Sequence, residues 1–103
     1  MTIRVTTYHP ALPFFLQQSA PPGIKVGSPP VIEKRSLGHE TLHEIFITAA
    51  DVGKDIAISL FVSWLYDHLK KYKAESVEID GKRVAITEAD IKSAIEVKVT
   101  HRL

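Results

Sequence analysis

The sequence predicts an α+β domain. Its sheet has about four strands, antiparallel or mixed, with one long central helix packed on it, a C-terminal hairpin and a short C-terminal helix. Three observations lead there. Residues 51–73, DVGKDIAISLFVSWLYDHLKKYK, contain an apolar run of eleven residues, 56–66, relieved only by Ser59 and Ser63. Residues 77–86 alternate apolar and polar about Asp80-Gly81, a pair that tolerates the positive φ of a two-residue hairpin turn. Upstream, 2–8 and 42–49 are rich in β-branched residues with period-two patterning. At 103 residues the chain is expected to form one domain, 1–103, with a single core.

In residues 2–8, Ile3 and Val5 alternate with Thr2, Arg4 and Thr6, as a strand with one buried face requires. Pro10 and Pro13 stop it, and ALPFFLQQS (11–19) reads as a short helix or turn lying on the core. A long Pro/Gly loop is expected over 20–41, punctuated by Pro21-Pro22-Gly23 and by Gly27, Pro29 and Pro30. Within it, Ile24-Lys25-Val26 and Val31-Ile32 are short extended pieces. LHEIFITA (42–49) reads as a buried strand.

Asp51 is the expected N-cap of the long helix. At about 100° per residue, Ile58, Phe61, Val62, Leu65, Leu69 and Tyr72 share a sheet-facing arc. In the hairpin, Ile79 faces Lys82, Glu78 faces Arg83 as an opposite-charge pair, and Val77 faces Val84. Thr87 then caps a last helix with Ile91, Ala94 and Ile95 as its stripe, and the alternation of Val97 and Val99 reads as a strand or a frayed tail.

Composition narrows the function classes. A net charge of +1 gives no electrostatic case for nucleic acid. Lys70, Lys71 and Lys73 complement a helix C-terminus instead. With no Cys, thiol catalysis, disulfides and Cys-based zinc sites are excluded. The N-terminus lacks a signal-peptide pattern, and the apolar run falls short of the roughly 20 residues that span a bilayer. A cytoplasmic protein with no membrane partner is the expectation.

One motif points to chemistry. His39-Glu40-Thr41-Leu42-His43 fits H-E-x-x-H, which on a helix places two zinc ligands on one face with a Glu to activate the metal-bound water. Gly38 before it and the β-branched Ile45-Phe46-Ile47-Thr48 after it argue for a strand entry instead. Glu44 puts a charge where such motifs carry an uncharged residue, and position 49 is Ala rather than a third ligand. No Gly-rich phosphate loop is present. No catalytic residue, metal ligand or cofactor is therefore assigned. His68, flanked at four-residue spacing by Trp64 and Tyr72, reads as a packed histidine with one satisfied nitrogen.

A second stripe on the long helix, Ile56, Leu60 and Trp64, is displaced from the core arc and is the expected partner-binding surface. Its rival cover is the chain's own 11–38 segment, through Phe14 and Phe15.

From 44 to about 96, the strand EIFITAA, the helix segment WLYDHLK and the hairpin VEIDGKRVAIT resemble small bacterial α/β proteins of conflict and immunity systems. That resemblance implies an accessory or immunity protein that binds a partner and performs no chemistry. The expectation is thus a non-enzymatic module that neutralises or recruits a protein partner. A minimal zinc hydrolase using HETLH and a homo-oligomeric structural subunit are the alternatives.

Overall fold

A computed structural model describes residues 1–28 and 41–101 of the chain. The strand nearest the N-terminus, β1 (Thr2–Thr7), becomes the centre of the sheet. It is followed by α1 (Leu12–Ser19), β2 (Ile24–Gly27), β3 (His43–Ala49), α2 (Ile58–Lys71), β4 (Ala74–Ile79), β5 (Lys82–Val84) and α3 (Glu88–His101). Among the described residues the strands form one five-stranded sheet in the order β2-β3-β1-β4-β5. Every neighbouring pair is antiparallel.

Register follows from the alternation. Ile3 lies between Ile47 and Ile79, and Val5 between Ile45 and Val77. All six point into the core with Leu12 and Leu16 of α1, Phe61 and Leu65 of α2, and Ile91 and Ile95 of α3. The three helices therefore cover one face. The other face carries Arg4, with Glu44 Oε1 at 3.2 Å and Glu78 Oε2 at 3.0 Å. These hydrogen bonds, to Glu44 first and Glu78 second, hold the guanidinium above its ordinary range. On the same face the hydroxyls of Thr6 and Ser76 are hydrogen-bonded to each other. One step further along β1 the pairing moves from Ser76 to Ala74, so Glu75 is a bulge.

Four expectations need correction. The sheet has five strands rather than about four, because Ile24-Lys25-Val26, inside the expected 20–41 loop, pairs with β3 as an edge strand. Four residues between turn signals are too few for periodicity to separate strand from loop. Residues 29–40 of that expected loop, Val31-Ile32 among them, lie outside the described residues.

The central helix begins at Ile58 rather than Asp51. Residues 51–56 instead close a loop in which the Asp51 carbonyl accepts from the amides of Lys54, Asp55 and Ile56. Gly53, at φ +91°, donates to the Ile56 carbonyl at 2.7 Å. Ala57, not Asp51, precedes the helix, and it supplies no side-chain cap.

The last helix is not short. It has 14 residues, the same as α2, and runs through Val97 and Val99. Positions 91, 94, 95, 98 and 99 are its inward or partly buried residues, a single helical stripe that takes in Val99 and leaves Val97 on the exposed side. Finally, Glu78 does stand opposite Arg83, but its carboxylate pairs with Arg4 on the neighbouring strand.

The hairpin itself forms in the expected register, with Asp80 and Gly81 at φ +48° and +83°. Asp80 does more than turn the chain. Its Oδ1 accepts from the Thr2 amide at 2.8 Å, and its own amide donates to the Thr2 carbonyl, also at 2.8 Å. Thr87 caps α3 through the Asp90 amide at 3.1 Å, while its hydroxyl donates to the Asp90 carboxylate.

Candidate functional site

The expected partner stripe is split by the fold. Ile56 precedes α2 and is only 8% exposed, a member of the core. Leu60 is 68% exposed. Trp64 is partly buried, packs against the core cluster, and donates from Nε1 to Ser19 Oγ at 2.9 Å. Only Leu60 and Trp64 occupy the line along α2 that the spacing implied. The aromatic cover is not the one expected for that stripe. Phe15 stacks on Tyr72 at 4.9 Å and 13°, and Phe14 is exposed. With Phe15 beside Tyr72 and Ser19 beside Trp64, α1 runs antiparallel to α2.

Ser19 and His68 approach as a nucleophile and base would, Oγ to Nε2 at 3.1 Å. His68 Nδ1 faces the Trp64 carbonyl at 2.7 Å, an acceptor only, so that nitrogen carries a proton. Nδ1 is thus the satisfied nitrogen that the sequence suggested, and Nε2 is an acceptor facing the Ser19 hydroxyl. The serine is committed elsewhere, however. Its hydroxyl donates to the Phe15 carbonyl at 2.7 Å and accepts from the Trp64 indole. The cluster acts as a clamp between α1 and α2, formed by residues 45 and 49 positions apart in sequence.

Of the H-E-x-x-H motif, His39 and Glu40 lie outside the described residues. His43 opens β3 opposite Thr7, in extended backbone rather than on a helix. Among the described residues no three His, Asp or Glu side chains gather as a metal site. No described helix is long and apolar enough to cross a membrane.

A different place has the shape of a binding site. Between the β4-β5 hairpin and α3 runs a groove of about 470 Å³. Its floor is Ile79, fully buried, and its walls are Val84 and Ala85 on the strand side and Ala94 and Val97 on the helix side. Val97 is 55% exposed and adds its apolar side chain to Val84, Ala85 and Ala94 along the same trough. Cations frame the rim: Lys82, Arg83 and Lys98. The nearby anions are engaged, Asp80 with Lys98 Nζ at 3.7 Å and Asp90 with the Thr87 hydroxyl at 2.8 Å.

The groove follows from sequence elements that were individually legible. The Asp-Gly turn makes β5 the end of the sheet. The Thr87 cap starts α3 just beyond it, so helix and edge strand diverge from a common corner. Sequence reasoning missed the site because Val97 was assigned to a strand or tail; the stripe 91, 94, 95, 98, 99 would have placed Val97 on the outer side of a helix. No protein-family model matches the chain, and no curated protein or solved structure matches it.

Proposed function

We propose that the protein is a protein-binding module, acting by recognition rather than catalysis, and that its docking site is the groove between β5 and α3. The observation that carries this reading is an apolar trough, floored by Ile79 and walled by Val84 and Val97, bounded on one side by a strand edge. Partner recognition favours such a combination: apolar side chains supply the buried area, and charged groups on the rim supply orientation. The resemblance to small immunity-type proteins points in the same direction. Leu60, the open member of the Ile56, Leu60 and Trp64 stripe, is a single side chain and offers less.

The test is site-specific photocrosslinking in cells that naturally make the protein. A benzophenone amino acid at Val97 is compared with one at Lys54, an exposed position outside the groove. A discrete protein adduct formed from position 97, absent from position 54 and abolished by Val84→Asp, is the expected result. Identical adducts from both positions, or none from position 97, would remove the groove as the docking site.

A further inference from the structure

We propose that the groove takes an extended acidic segment of a partner protein, added to the sheet as a further strand beside β5, which rests on reading the chain as a protein-binding module. Three independent features of β5 converge on this occupant.

The first is the backbone. Ile79 pairs with Lys82 and Val77 with Val84. In a two-residue hairpin the residues flanking the turn exchange both hydrogen bonds, and alternate pairs repeat the pattern. The amide and carbonyl of Arg83 therefore point away from β4. Among the described residues β5 is the last strand of the sheet on that side, so an incoming strand meets a donor and an acceptor already spaced for pairing.

The second is the alternation of side chains. A strand lying beside β5 directs every other residue toward α3, where Val84, Ala94 and Val97 stand over Ile79. Those positions select apolar side chains. The intervening positions face the open side of the sheet.

The third is charge on that open side. Phe46, Arg4, Glu78 and Arg83 lie in register across four strands. Glu78 is drawn to Arg4 at 3.0 Å, which leaves Arg83 as the cation at the end of an alternating row. The residue opposite Arg83 on an added strand continues the row if it is Asp or Glu. Opposite charges across strands stabilise the pair, and like charges destabilise it. A second copy of this chain is disfavoured by the same residue, because symmetric antiparallel pairing through β5 centres on Arg83 and sets two guanidiniums against each other.

The recognised segment alternates apolar and acidic residues. Fluorescence anisotropy with the full chain and three labelled eight-residue peptides tests it: alternating Val and Glu, alternating Val and Lys, and the Val/Glu peptide N-methylated at one central Glu. The Val/Glu peptide is expected to bind and the other two to fail. Arg83→Glu should weaken the Val/Glu peptide about tenfold and admit the Val/Lys peptide. Circular dichroism of the variant verifies that this exposed substitution leaves the fold intact.

Equal binding of Val/Glu and Val/Lys peptides by the wild-type chain would overturn the proposal. So would Val/Glu binding that Arg83→Glu leaves unmoved, or no binding of any peptide. Groove-specific crosslinking at position 97 without peptide binding would reject the acidic strand and keep the docking site. Loss of both would reject the two together.

Discussion

The Ser19 hydroxyl sits where three polar groups from two helices converge: the Phe15 carbonyl, the Trp64 indole and the His68 imidazole. Its one proton goes to the Phe15 carbonyl and a lone pair accepts the indole N–H, while His68 Nε2, the acceptor of a ring protonated at Nδ1, competes for that same proton. Ser19→Ala is expected to cost under about 1 kcal/mol, since the cluster is exposed and water can replace the hydroxyl. The sharper reading is spectroscopic. Trp64 is the only Trp in the chain, so its indole N–H is a single resonance; it should shift and exchange faster with solvent in Ser19→Ala and not in Ser59→Ala. An unchanged indole signal would mean that the clamp does not hold in solution. Arg4 poses a similar question on the open face. It holds two carboxylates, at 3.2 and 3.0 Å, both partly exposed. Arg4→Ala should lose about 1 kcal/mol at low salt, with the loss shrinking as salt screens the pairs. A salt-independent loss would point to packing by the arginine stem instead. The partner of Glu78 was not legible in the sequence. Hairpin spacing identifies Arg83 across β4-β5, but nothing local reveals that β1 lies on the other side with Arg4 in the same row.

Two glycines separate local from tertiary control of an element. Gly81 is at φ +83° with no atom near the position of a Cβ. Gly81→Ala therefore meets only backbone strain, about 1–2 kcal/mol. Gly53 is at φ +91°, and a Cβ there would lie 2.5 Å from Val99 Cγ1 of α3. Gly53→Ala adds a steric term of about 1–3 kcal/mol to the same strain. Urea unfolding of the two variants should rank Gly53→Ala as clearly the more damaging; equal losses would show that Val99 moves aside freely. Gly81 was readable from its Asp-Gly dipeptide. The role of Gly53 was hidden, because its neighbour is 46 residues away in the chain and the adjacent apolar run makes a longer helix look plausible. Closing residues 51–56 as a loop lets Val52 and Ile56 both enter the core, which a helix starting at Asp51 would not specify. The same limit applied to α3, where Val97 and Val99, two apart in sequence, imitated one face of a strand although only Val99 packs against the core.

Across the whole molecule, the substitutions that affect folding and those that affect docking should separate. Phe61 is fully buried between sheet and helices. Phe61→Ala is expected to lose about 3–5 kcal/mol through lost transfer free energy and the cavity left behind. Val97, on the outer wall of the groove, should tolerate Ser within about 0.5 kcal/mol while losing the Val/Glu peptide. Stability from denaturant titration and binding from anisotropy, measured on both variants, check the separation. A large stability loss in Val97→Ser would place that side chain in the core and close the groove as a site. The sequence by itself determined the α+β class, the central strand segments, the core arc of α2, the hairpin register and the Thr87 cap. Each of these is encoded within a few residues, by periodicity, a turn dipeptide or a capping hydroxyl. Only the tertiary structure decided that β1 lies between β3 and β4, that β2 joins as an edge, that Trp64 is tied to Ser19, and that β5 and α3 enclose a groove. Those features depend on which distant segments become neighbours, and the free energy that selects them is set by the burial of the whole core rather than by any one stretch.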